Sequence, residues 1–162
     1  MIEFLPATAD DLPQIVAIYN ETIPTHQATA DLQPQTVAQK AAWFSAHNTH
    51  FPAWMIQVNH KTIGWLTLSA YSDRPAYDQT AEISLYLDVA ARGQHIGSAA
   101  LAFVDREAPA RGLTTVIARI FGHNQASRRL FSKFGYAHWG HLPAIAVLPE
   151  GLADLEVYGK HF

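Results

Sequence analysis

Ala91-Arg92-Gly93-Gln94-His95-Ile96-Gly97-Ser98 follows an apolar run from Ala81 to Leu87 and precedes a helix-like run from Ala99 to Arg111. A loop in that place, with two glycines and a Ser at the helix start, exposes several backbone N–H groups at the positive end of a helix. This is a general arrangement for holding phosphate oxygens. Many proteins hold phosphates this way, so the polar face of the preceding strand must decide the chemistry.

Side chains alternate along a strand. From Thr80 to Leu87, one face carries Ala81, Ile83, Leu85 and Leu87, and the other carries Thr80, Glu82, Ser84 and Tyr86. Glu is depleted in strands, and a central strand is covered on both faces. Glu82 therefore faces solvent or sits in a cleft. A carboxylate at a cleft mouth, near bound phosphate and near Arg74 and Tyr77 of the preceding loop, suits a general base.

Outward from this strand, Ile2 to Pro6 reads as a short strand. Thr8 caps a helix with apolar positions Leu12, Ile15, Val16 and Tyr19. Residues 21–34 read as loop, and Thr36 caps a second helix through about His47. Phe51 to Val58 and Lys61 to Leu68 form a hairpin turned at Asn59-His60. Tyr71 to Gln79 is a polar loop. Gly97 to Arg111 is a helix closed by Gly112, and Thr114 to Phe121 is a strand rich in Thr, Val and Ile. Asn124 to Lys133 is a short helix closed by Gly135. Tyr136 to Val147 and Leu152 to His161 are strands around a Pro149-Glu150-Gly151 turn. The order β-α-α-β-β-β-α-β-α-β-β predicts an α/β (mixed α+β) fold with a sheet packed between helices, and not a doubly wound one.

The chain has 162 residues, enough for one domain spanning 1–162 with a real core and too few for two comfortable ones. Hydrophobic residues make up 49% and charged residues 15%, which argues against disorder. A formal net charge of −3 offers no basic footprint, so nucleic acid is not expected as a partner. The absence of cysteine excludes disulfides, thiolate metal sites and a thiol nucleophile. Met1 to Pro6 lacks a basic and apolar leader pattern, and no window approaches the ~20 apolar residues of a membrane span. A cytoplasmic protein without membrane contact is the expectation.

The segment Arg74-Pro75-Ala76-Tyr77-Asp78-Gln79-Thr80-Ala81-Glu82-Ile83-Ser84-Leu85-Tyr86 resembles the signature of the phosphinothricin and methionine sulfoximine acetyltransferase-like branch of the GNAT N-acetyltransferases. The likeness continues through Arg92 to Ser98, resumes at Asn124-Gln125-Ala126-Ser127, and extends to Leu130, Lys133, Phe134, Gly135 and Tyr136. Ile18-Tyr19-Asn20, Pro34-Gln35-Thr36 and Trp43-Phe44 also match. Each motif is modest alone, and their order and spacing together are specific.

This resemblance implies the GNAT acyl-CoA N-acyltransferase fold, a twisted, mostly antiparallel mixed sheet of about seven strands flanked by about four helices. It implies acetyl transfer from acetyl-CoA to a primary amine, by direct attack in a ternary complex. Backbone groups of Leu85, Tyr86 and Leu87 would pair with the pantetheine arm. N–H groups of Arg92, Gly93, Gln94, His95, Ile96, Gly97 and Ser98 would hold the pyrophosphate. Asn124 would bond the cofactor arm, with Ser127 and Lys133 in the same segment. Glu82 would accept the amine proton, directly or through water. Arg74 and Tyr77 match positions used around an amino-acid-like substrate, where an Arg suits a carboxylate. The resemblance also implies a homodimer, with the last strands as candidates for the interface.

Two positions depart from the branch pattern. His95 stands where the loop's first glycine belongs, and a Cβ there makes positive φ costlier. Phe131 stands where the branch has His and the wider superfamily often Tyr. It cannot protonate a leaving thiolate, and as a substrate-pocket residue it makes the pocket less polar, which argues against phosphinothricin itself as substrate. The pairs His47/His50 and His138/His141 raise a metal reading. Strand positions three apart point to opposite faces, so His138 and His141 are not expected to share an ion, and no third ligand accompanies His47 and His50. No metal is expected. Trp43, Phe44, Phe103, Phe121 and Phe134 read as core. The readings that stay open are an enzyme acting on a small amine, a catalytically weak acyl-CoA-binding module, and a protein N-terminal acetyltransferase.

Overall fold

The computed structural model describes all 162 residues. Its elements are β1 (Ile2–Pro6), α1 (Leu12–Thr22), α2 (Val37–Ser45), β2 (Ala53–Val58), β3 (Lys61–Ala70), β4 (Thr80–Leu87), α3 (Ile96–Ala110), β5 (Thr115–Phe121), α4 (Gln125–Lys133), β6 (Ala137–Leu148) and β7 (Gly151–His161). The strands form one sheet in the order β1-β2-β3-β4-β5-β7-β6. Only the β4–β5 pairing is parallel.

Local chemistry sets the boundaries. Thr36 and Gln39 close a capping box at α2, each side chain bonding the other's backbone N–H. Ahead of α1, Asp11 Oδ2 accepts from both Thr8 N–H and Thr8 Oγ1, and a short 3-10 turn (Ala9–Asp11) leads into the helix. Asn59 and His60 both take positive φ, 49° and 65°, which a two-residue hairpin with right-handed strand twist requires.

The larger apolar cluster lies between the sheet and α3, with Leu66, Leu68, Leu101, Val104 and Val116 almost fully enclosed. A second cluster joins α1 to Met55 and Trp65, with Trp43 and Phe44 of α2 half-buried against it. Of the residues read as core, Phe121 is buried, while Phe103 and Phe134 are half-buried against the first cluster.

One expectation about β6 is overturned. The pairing with β7 shifts register between His138 and Gly140, so Trp139 is an extra residue in the ladder. The bulge rotates His138 and His141 onto one face. Both reach the buried Glu156 of β7, at 2.6 Å from His138 Nε2 and 2.7 Å from His141 Nδ1. Strict strand alternation separates two residues that the bulge brings together. Ligand atoms of His141, Asp154 and Glu156 lie within 4.8 Å of one another.

Candidate active site

The site begins where a strand pairing stops. β4 and β5 pair at Thr80 with Thr115, Ala81 with Val116 and Glu82 with Ile117, and no further. Beyond Glu82, β4 stays with β3 as far as Leu87 opposite Gly64, and β5 stays with β7 as far as Phe121 opposite Leu155. The facing edges diverge without a ladder. Their backbone groups need another partner, because buried N–H and C=O groups are costly to leave unpaired. A cleft of about 700 Å3 opens between them.

At the wide end, β4 runs through the 3-10 turn Val89–Ala91 into the loop and α3. Gly93 and His95 take left-handed backbone, at φ 75° and 60°. Ala99 N–H is the first to bond back into the helix, to His95 O at 3.1 Å. The N–H groups of Ile96, Gly97 and Ser98 therefore have no intrahelical partner. Arg92, Gly93, Gln94 and His95 are exposed, and Gln94 Nε2 donates to Ala90 O. A Cβ on Gly97 would come within 2.8 Å of Leu130 Cδ2, so this glycine allows α3 and α4 to approach. These donors and the adjoining cleft fit a diphosphate with a long thin arm.

Glu82 lies at the narrow end, half-buried, with Oε1 receiving Arg119 Nε at 2.9 Å and Nη2 at 2.8 Å. Ser69 of β3, directly opposite Glu82 in the ladder, lines the same cleft. The outer wall is aromatic. Tyr86 stacks on Trp65 with centroids 4.6 Å apart, and Tyr19 meets Tyr86 edge-on at 5.0 Å. Tyr19 OH bonds Thr29 and Asp31. Burial, then the Asp31 bond, pushes the Tyr19 phenol well above its ordinary value, so it stays protonated. Burial likewise raises Tyr86 to about 12. Lys40 Nζ sits 4.5 Å above the Tyr19 ring and makes no ion pair.

Of the residues expected at the site, Glu82, Leu85, Tyr86, Asn124, Ser127 and Phe131 line the cleft. Leu87 continues β4 beyond them. Asn124 caps α4 through Oδ1, accepting from Ser127 N at 3.2 Å, and its Nδ2 donates to Gln27 O at 3.1 Å. The amide thus ties the segment after α1 to α4. Phe131 is buried edge-on against Tyr136 at 4.9 Å. Lys133, in the exposed last turn of α4, lines no part of the cleft. Arg74 and Tyr77 do not line it either. Arg74 precedes and Tyr77 ends an exposed 3-10 turn (Pro75–Tyr77) before β4, where Tyr77 packs on Tyr71. The β3–β4 ladder that precedes this turn runs to Ala70 opposite Ala81.

Sequence reasoning missed Arg119, Lys40, Asp31 and the pair Ser69–His47. Arg119 left a signal, a charge inside the apolar strand Thr115–Phe121, two residues beyond the Ile117 that pairs with Glu82. Lys40, Asp31 and His47 come from helix and loop positions that carry no periodic signature, and Ser69 lies at the end of β3, just beyond the run read as strand.

The acetyltransferase (GNAT) domain family matches residues 2–137. This chain belongs to that family. It is 40% identical over 151 residues to a Bacillus subtilis (strain 168) protein provisionally named a phosphinothricin acetyltransferase, covering 93% of both chains. It is 28% identical over 137 residues to the L-methionine sulfoximine/L-methionine sulfone acetyltransferase of Pseudomonas paraeruginosa, covering 83% of this chain and 80% of that one. The GNAT phosphinothricin acetyltransferase of Sinorhizobium meliloti, solved in complex with acetyl-CoA, superposes with a TM-score of 0.92 at 28% identity, covering 99% of this chain and 88% of that one. The GNAT fold expected from the sequence is the fold found, and the chain is an acetyl-CoA-dependent N-acetyltransferase of the phosphinothricin and methionine sulfoximine acetyltransferase-like branch.

Proposed function

We propose that this GNAT enzyme acetylates the primary amine of a small amino-acid-like molecule by direct attack within a ternary complex. The observation that carries this reading is the separation of β4 from β5 immediately after Glu82, which sets a carboxylate at the vertex of a long cleft. Acetyl-CoA supplies the thioester carbonyl. The unladdered edge of Leu85, Tyr86 and Leu87 suits its amide-bearing arm, and the N–H groups from Arg92 to Ser98 suit its diphosphate. Asn124 and Ser127 line the arm's side of the cleft, with Lys133 outside it. Glu82 takes the amine proton through Oε2, since Arg119 occupies Oε1.

For the acceptor's carboxylate, Lys40 is the lining cation with no carboxylate partner. Arg74 and Tyr77 serve at most as an outer rim. Phe131 keeps the inner wall apolar. We further read residues 1–162 as one catalytic domain working in the cytoplasm as a homodimer. Ile145, Val147 and Leu152 of the last two strands are 54%, 72% and 69% exposed, a strand-edge apolar surface suited to a second copy. No helix is long and apolar enough to cross a membrane.

The test is free-thiol release from acetyl-CoA across a panel of free amino acids, methionine sulfoximine, methionine sulfone, phosphinothricin and short peptides. Turnover is expected with the amino-acid-like amines. Turnover with peptides alone would assign the cleft to protein N-termini. Acetyl-CoA binding without turnover on any amine would leave a binding module.

A further inference from the structure

We propose that Ser69 and His47 form a second proton-accepting pair of this cleft, in which Ser69 Oγ meets the acceptor amine and His47 Nε2 takes the proton through it. The proposal rests on the amine entering beside Glu82.

The geometry is specific. Ser69 lies directly across the ladder from Glu82, and opposite residues on paired strands share a face with Cβ atoms ~4.5–5.5 Å apart. Both side chains line the cleft, and His47, just past the end of α2, sits behind Ser69. His47 Nε2 is 2.8 Å from Ser69 Oγ, and Nδ1 is 3.2 Å from Phe44 O. A carbonyl oxygen only accepts, so Nδ1 carries the hydrogen and Nε2 presents a lone pair. Ser69 therefore donates its hydroxyl proton to Nε2 and turns its own lone pairs to the cleft.

The environment keeps the ring ready to accept. His47 is half-buried, with Trp43 edge-on at 4.9 Å, Phe44 from its own helix and Ser69 from β3 around it. Burial lowers its pKa below the ordinary value, against the opposing pull of the Phe44 and Trp43 carbonyls, and no charged group contributes. The imidazole is neutral at pH 7. By contrast, both ring nitrogens of His50 are taken by carbonyls of Arg111 and Asp78, so His47 and His50 do not face a common ligand.

The reaction has work for two acceptors. An amine arrives as R–NH3+ and ends as an amide bearing one hydrogen, so two N–H protons leave the nitrogen. The nitrogen lone pair forms the new C–N bond, and the C–S pair departs with sulfur, which takes up one proton as the CoA thiol. The other proton goes to solvent. Glu82 has only Oε2 unengaged by Arg119, and Phe131 handles no proton. In the proposed step, the amine N–H proton passes to Ser69 Oγ as the Ser69 hydroxyl proton passes to His47 Nε2. Serine is regenerated, and the half-exposed imidazolium returns the proton to water. His47 is thus a relay acting through Ser69.

The experiment compares pH profiles of kcat/KM for the wild type, Ser69→Ala, His47→Ala and Glu82→Gln, with acetyl-CoA affinity measured in parallel. Ser69→Ala and His47→Ala are expected to lower kcat about tenfold, to leave acetyl-CoA affinity unchanged, and to remove the same acid-side inflection below the usual imidazole range. Added imidazole is expected to restore turnover to His47→Ala, which a packing role would not allow. Should His47→Ala fail to fold, Ser69→Ala decides, because it deletes one hydroxyl. A Ser69→Ala enzyme with wild-type rate and an intact inflection overturns the relay. A wild type that binds acetyl-CoA but turns over no amine overturns the proposed function instead.

Discussion

Arg119 grips Glu82 Oε1 with both Nε and Nη2, two residues past the last β4–β5 rung at Glu82 and Ile117. The pair bridges the two strands at the point where they part. It fixes the carboxylate's rotamer and leaves Oε2 without an ion-pair partner. Positioned bases contribute about 10^2–10^4-fold to such reactions. Glu82→Gln is expected to lower kcat at least a hundredfold with little change in acetyl-CoA affinity. Arg119→Met is expected to lower kcat about tenfold, because the base persists but wanders. Steady-state thiol release at saturating acetyl-CoA measures both, and a Glu82→Gln enzyme with wild-type kcat would remove Glu82 as the base.

Gly64 faces Leu87 across the β3–β4 ladder, and a Cβ there would sit 2.6 Å from Tyr86 O and 2.7 Å from Leu87 Cδ2. Backbone cannot swing aside as a side-chain tip can. Gly64→Ala is therefore expected to cost about 1–3 kcal/mol of stability. It also pushes β4 at the residues that border the cleft, so acetyl-CoA affinity should fall with stability. Denaturant unfolding and calorimetric titration read the two effects separately. A variant as stable as wild type would show that the strand pair has slack.

Much of this was legible in the sequence because it depends on local periodicity. Thr36 with Gln39, Asn59-His60, and the alternation through Glu82 each mark an element by its own residues. The loop Arg92–Ser98 could be placed at a helix mouth for the same reason. The rest was set by tertiary arrangement. A bulge at Trp139, invisible in composition, put His138 and His141 on one carboxylate. Arg74 and Tyr77 sit in a turn between two strands, and their place relative to the cleft is set by how that turn packs and by nothing in their own spacing. Lys40 and Asp31 come from segments whose contacts span the chain, and nothing in their spacing announces a shared wall, while His47 reaches the cleft only through Ser69.

Glu156 is buried under two histidines, and its carboxyl titrates below the ordinary 4.5. Burial alone would raise it, but the hydrogen bonds from His138 and His141 outweigh that effect. A depressed folded-state pKa stabilises the fold at pH above the unfolded value, and this contribution is lost as pH falls through the folded one. The melting temperature should therefore drop on acidification from the usual carboxylate range downward. Glu156→Gln is expected to melt lower at pH 7 and to vary less below pH ~5 than the wild type. Thermal melts of both proteins across that range test it, and parallel curves would assign the acid sensitivity elsewhere.

His95 holds left-handed backbone, φ 60° and ψ 15°, at the residue that precedes α3. For an L-residue that conformation costs roughly 1–2 kcal/mol, and glycine adopts it freely. Glycine's larger unfolded-state entropy returns about 0.4–1 kcal/mol of that gain. His95→Gly should therefore be as stable as the wild type or slightly more so. The exposed side chain makes no cap hydrogen bond, and removing its Cβ opens closer approach to the N–H groups of the loop. Acetyl-CoA is expected to bind His95→Gly as tightly as the wild type or more tightly. Calorimetric titration of both proteins with acetyl-CoA provides the check. A tenfold loss of affinity would mean that the imidazole itself touches the cofactor, and that the histidine contributes to binding and is not only tolerated.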